Sequence, residues 1–111
     1  MIEEIIISYL STQLTVPVSG EVPTPTPESF VTVEKVGGNS KNKIRTSRLA
    51  IQSWAGSEAE AAALHELVIA AMNNSVSLHE ISNSKLNSEY NYTDTTTKHH
   101  RYQAVFDVVY L

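Results

Sequence analysis

Four histidines, one cluster of lysine and arginine, and a complete lack of cysteine decide which chemistries this 111-residue chain could carry. Without cysteine there is no thiolate nucleophile, no Cys-ligated zinc, no iron–sulfur cluster and no disulfide. His65 stands beside Glu66 with no second ligand at the i+4 position, on what the sequence places as the exposed side of a helix. His79 is isolated in a short strand candidate. His99 and His100 are adjacent, so in a strand they point to opposite faces and cannot easily share one ion. No His-Glu-x-x-His spacing occurs, and no metal site is expected. Ser19, Gly20 and Ser57 do not form a Gly-x-Ser-x-Gly elbow. Gly37-Gly38-Asn39-Ser40-Lys41 lacks the spacing of a phosphate loop, and it precedes a strand where such a loop needs a helix N-terminus. Glu3 and Glu4 are sequence neighbours in a first helical turn, which is capping chemistry. The expectation is a protein that is not an enzyme, with no cofactor and no catalytic residues.

The charge pattern carries more. Twelve acids against eight bases give a net charge of −4, a balance that disfavours bulk nucleic-acid binding. Yet Lys35, Lys41, Lys43, Arg45 and Arg48, five of the eight bases, fall within fourteen positions with no acid among them. Two readings stand: a solvated hairpin tip, or a positive finger aimed at nucleic acid or an acidic partner face. As a contact between subunits or with a partner, these five residues are the candidate site.

The elements that position them follow from periodicity. Ile2, Ile5, Ile6, Tyr9 and Leu10 have helical spacing, so a helix is expected over 2–13. Pro17, Pro23, Pro25 and Pro27 then enforce an extended, exposed connection. It reads as a spacer along the domain edge, with a ligand for a partner's aromatic groove as the alternative. Phe30 to Val36 alternates as a strand, Gly37-Gly38-Asn39-Ser40 ends it, and a second strand follows from about Ile44 to Trp54, which makes a long hairpin with a polar tip. Ser57 and Glu60 match a capping box, opening a helix from Ala59 to Met72. Its expected buried stripe is Ala61, Leu64, Leu67, Val68, Ala71 and Met72, with His65 and Glu66 facing out. Asn73 or Asn74 is expected to stop it in a left-handed conformation.

Val76 to Ile81 reads as a short strand. Ten of the sixteen residues from Ser82 to Thr97 are Ser, Asn or Thr, so that stretch is expected to be a loop or solvent-exposed hairpin pinned by Leu86, Tyr90 and Tyr92. Tyr102 to Leu111 is apolar on both faces and reads as a central strand, or one whose second face meets another protein. The fold class expected is α+β: an antiparallel or mixed sheet of about four strands with a long hairpin and two helices packed on it. One domain over 1–111 suits the length. The acidic start and the lack of an apolar run of 18 residues argue against a signal peptide or a membrane span.

Taken in order, Val16-Pro17-Val18, Pro27, Phe30-Val31-Thr32-Val33, Gly37-Gly38, Leu49-Ala50-Ile51-Gln52-Ser53-Trp54-Ala55, Ser57-Glu58-Ala59-Glu60-Ala61, Asp94 and Arg101-Tyr102-Gln103-Ala104-Val105 form a pattern that covers nearly the whole chain. It resembles the tail terminator proteins of long-tailed bacteriophages, also called minor tail or tail completion proteins. The resemblance implies a virion protein made in the bacterial host cytoplasm. It implies a homo-oligomer, a hexameric ring on the head-proximal end of the tail tube, which ends polymerisation of the tail tube protein and docks the head–tail connector protein. DNA would pass through its lumen, with no cofactor, turnover or membrane involved. The alternatives are a neighbouring head–tail connector or stopper protein, and a small nucleic-acid-binding protein that uses the basic hairpin.

Overall fold

The computed structural model describes residues 1–41, 43–94, 96 and 99–110. The fold is α+β: helix α1 (Ile2–Gln13), a two-residue strand β1 (Val18–Ser19), β2 (Phe30–Lys41), β3 (Ile44–Ala55), helix α2 (Glu58–Asn73), a 3-10 turn (Ser75–Ser77), β4 (Ile81–Asn91) and β5 (His100–Tyr110). The sheet has five strands in the order β1-β2-β3-β5-β4. It is mixed, because β1 runs parallel to β2 while the remaining pairs are antiparallel. No helix among the described residues is long and apolar enough to cross a membrane.

The core lies on one face of this sheet. Val31 and Val33 of β2, Leu49 and Ile51 of β3, and Ala104, Phe106 and Val108 of β5 are buried beneath Ile2, Ile6 and Leu10 of α1 and Leu64, Val68 and Met72 of α2. The cross-strand pairs Val33–Ile51 and Leu49–Phe106 set this register, because a one-residue slip would turn every apolar side chain to the other face. The hydroxyl of Tyr9 donates to the carbonyl of Ala71 at 2.7 Å and ties the two helices together. Strand β5 lies inside the sheet, between β3 and β4, with Ala104, Phe106, Val108 and Tyr110 in the core and its Val105 and Val109 face turned to the helix-free side. Ser57 caps α2, its Oγ accepting from the amide of Glu60 at 3.2 Å. Ser57→Ala should cost about 1 kcal/mol of stability, read as a lower urea midpoint with an unchanged slope.

Several expectations need correction. The sheet has five strands instead of four. The Gly37 to Ser40 segment is not the turn. Strand β2 runs through it to Lys41, with a bulge between Lys35 and Gly37, and the chain reverses between Lys41 and Ile44, where Lys43 takes φ 67°. Gly38 serves the strand pairing instead, since a Cβ there would lie 2.7 Å from the carbonyl oxygen of Thr46. The segment 76–81 is not a strand: it holds the end of the 3-10 turn and a reversal, and β4 begins only at Ile81. Most of the polar stretch from Ser82 is β4, an edge strand with a mostly solvated surface that pairs antiparallel with β5, so of the two expectations for it the exposed hairpin is the one that holds. Helix α2 ends at Asn74 with φ −93° and ψ 1°, which is not left-handed.

Within α2 the buried stripe is Ala61, Leu64, His65, Val68, Ala71 and Met72. Leu67 is 59% exposed and His65 only 2%, the reverse of the expectation. Spacings of three and four from Ala61 select positions 64, 65 and 68, and that geometry overrides the polarity of the imidazole.

Candidate functional site

All five basic residues of the hairpin are exposed, but they do not form one patch. Lys35 pairs across the ladder with Leu49, and Arg45 with Tyr110, so both point to the helix side. There they line a recess of about 300 Å³ with Glu3 and the N-terminal residue of α1. The Arg45 guanidinium lies 6.0 Å from the centre of the Tyr110 aromatic ring. The bulge after Lys35 inverts the side-chain alternation, so that Lys41 shares the helix-free face with Ile44 and Arg48. Lys43 sits at the reversal itself.

Arg48 is not a free cation. Its Nε donates to Asp107 Oδ1 at 2.9 Å, directly across the β3–β5 ladder, while Asn87 Nδ2 donates to the other carboxylate oxygen at 3.0 Å. The Arg48 hydrogen bond, outweighing partial burial and aided by Asn87, holds the Asp107 carboxyl below its ordinary range. A carboxyl with a depressed folded pKa adds stability above its unfolded value of about 3.9 and loses it as pH falls through the folded value. Acid titration of stability should therefore show a loss below about pH 4 that Asp107→Asn reduces. The tip that can meet a partner is thus Lys41 and Lys43, with Lys35 and Arg45 turned toward α1.

At the opposite end of the sheet, the helix-free face carries an aromatic row that the sequence did not signal as a unit. Phe30 and Trp54, cross-strand partners, stack at 5.2 Å with their planes 13° apart. The Arg101 guanidinium lies between Trp54 and Tyr92, at 4.7 and 4.5 Å from their ring centres, and its Nε donates to the Tyr92 carbonyl at 2.7 Å. Tyr90 meets Tyr92 edge-on at 5.7 Å. Gln52 donates to Gln103 at 2.7 Å, and Gln103 in turn donates to the Tyr90 hydroxyl. These side chains contact one another laterally, and among the described residues no helix lies over them. Only the register of β3, β5 and the end of β4 brings Trp54, Arg101 and Tyr92 together. A partial sequence signal did exist in the alternation that puts Ala50, Gln52 and Trp54 on one face of β3.

The histidines separate. His79 is exposed in the turn before β4, and His100 opens β5. His99 meets Phe30 and Trp54 edge-on, at 6.1 Å from each. His65 is buried: its Nε2 is 2.8 Å from Glu89 Oε1 on β4, and its ring lies 5.2 Å from that of Tyr102. His65, Glu66 and Glu89 place one donor atom each within 4.8 Å of one another, a grouping invisible in sequence because Glu89 comes from another element. An imidazole and two carboxylates can hold a divalent transition-metal ion. Metal on Nε2 would move the ring proton to Nδ1, however, and Nδ1 is buried with no hydrogen-bond partner among the described residues. Ligating histidines normally place that N–H on an acceptor. The arrangement suits a tie between α2 and the edge strand better than a metal centre.

Comparison with protein-family models and with curated proteins finds no match to this chain.

Proposed function

We propose that this chain is a structural subunit of a bacteriophage virion: a tail terminator that assembles with copies of itself as a ring on the head-proximal end of the tail tube. There it stops polymerisation of the tube and offers a docking face to the head–tail connector. The role involves no turnover and no cofactor. The observation that carries the reading is the one-sided sheet. Both helices pack on one face, and the other is a surface that runs from the aromatic row to a basic tip. Closing a ring by head-to-tail contacts requires each subunit to present two different complementary surfaces. The helix-free face and the helix side differ in this way. The resemblance in sequence, from Val16 to Val105, supplies the identity of the assembly.

Negative-stain electron microscopy of particles made after disruption of this gene in its phage tests the proposal. Tails of unregulated length, detached from filled heads, are the expected result. Tails of normal length beside leaking or tailless heads would move the chain to the connector, and intact virions would overturn a role in particle architecture. In that last case the exposed basic tip would favour nucleic-acid binding, with an affinity that falls steeply as salt rises.

A further inference from the structure

We propose that the tip of the β2–β3 hairpin docks on a second copy of this chain, in the groove between α1 and the turn that leads into β4. The groove measures about 670 Å³. Ile5, Tyr9 and Leu78 form its apolar floor, and the exposed carboxylates of Glu4 and Glu80 stand at its rim, Glu4 at 3.9 Å from the Met1 ammonium in a solvent-exposed pair that a lysine can exchange into. The Tyr9 side chain is held in place by its hydrogen bond to Ala71, so the floor is preformed. The tip has the complementary character. Ile44 is 49% exposed, an apolar side chain at the end of a polar hairpin, and Lys41 is its cross-strand partner, with Lys43 at the turn between them.

Ile44 seated on Ile5, Tyr9 and Leu78 would bring the two ammonium groups to the two rim carboxylates, while the lysine stems lie along the apolar wall. The tip cannot fill its own groove, because Ile44 and Lys41 lie on the helix-free face of the sheet and the groove lies on the helix side. The occupant is therefore another molecule, and a second copy offers matched charge and an exposed apolar anchor. The inference rests on the homo-oligomeric reading above and specifies which surfaces meet.

A hairpin tip in a groove buries far less than the roughly 1,200–2,000 Å² of a stable interface, so trapping is a better readout than sedimentation. The chain has no cysteine, so Asn39→Cys, exposed beside the tip with Ile44 kept as the anchor, and Ser8→Cys, at the groove edge, each carry a single thiol. The two are mixed in buffer containing oxidised glutathione. The mixed disulfide is expected to form about tenfold or more faster than in a control that pairs Asn39→Cys with a thiol at exposed Thr26. Adding Lys41→Glu and Lys43→Glu to the Asn39→Cys chain should reduce the rate to the control level. Combining that chain with a Ser8→Cys partner that carries Glu4→Lys and Glu80→Lys should restore it. Equal rates for the Ser8 and Thr26 pairs, or no response to charge reversal, would overturn the docking. Failure of trapping alongside long, unregulated tails in the disrupted phage would remove this contact and leave the terminator reading intact. Trapping alongside intact virions would do the reverse.

Discussion

Replacing His65 by alanine should destabilise the fold by about 2–4 kcal/mol, whereas Leu67→Ala, two positions along the same helix, should change it by less than about 0.5 kcal/mol. The ordering is opposite to what hydrophobicity alone would give. His65 is 2% exposed, packs against the Tyr102 ring and holds Glu89 of the edge strand through a 2.8 Å hydrogen bond. Truncation removes packed ring atoms from a close-packed site, and it frees β4 from one of its few side-chain ties to α2. Leu67 is 59% exposed and lies outside the core cluster. Urea unfolding of both variants decides the matter. A cost at Leu67 equal to or above that at His65 would mean that the helix face is rotated from the one described.

This inversion shows where sequence patterning runs out. Helix α1, the hairpin strands and the Ser57 cap are legible because each is specified locally, by period, β-branched alternation or a capping pair four residues long. The phase of α2 is not, since Leu64, Leu67, Val68 and Ala71 satisfy helical spacing as well as Leu64, His65, Val68 and Ala71 do. Only the partner sheet, which offers Glu89 and Tyr102, makes the histidine side the buried one. Strand β4 was legible only as one of two options, a loop or an exposed hairpin, for a related reason. As an edge strand it needs little apolar content, and its inward residues include Glu89 and Asn91, which face α2 through polar contacts with His65 and Glu58. Gly37 and Gly38 imitate a turn, but Gly38 is demanded by a close approach to Thr46 that depends on a bulge two residues earlier. The five bases of the candidate site were visible as a run, yet the run does not reveal that Arg48 is committed to Asp107 or that Lys35 and Arg45 turn toward α1. Neutralisation across strands and the inversion of faces at a bulge are tertiary facts.

Those facts sharpen the largest functional effect expected of any substitution in this chain. Lys41→Glu combined with Lys43→Glu should leave the urea midpoint within about 0.5 kcal/mol of the parent protein, because both side chains are exposed and absent from the hydrogen bonds and ion pairs found among the described residues. Assembly should fail nonetheless. Reversing two charges at a complementary contact places like charges together at a cost of several kcal/mol, and each 1.4 kcal/mol is about tenfold in affinity. A contact repeated around a closed ring is weakened at every subunit boundary, so complementation of the disrupted gene should fall by at least about a hundredfold. Arg48→Gln supplies the contrast. It removes a cation that is already neutralised by Asp107, so it should alter the acid dependence of stability and leave complementation near the parent level. Equal loss of complementation in both variants would assign the phenotype to net charge instead of to the tip. Wild-type assembly by the double variant would remove the hairpin from the interface altogether.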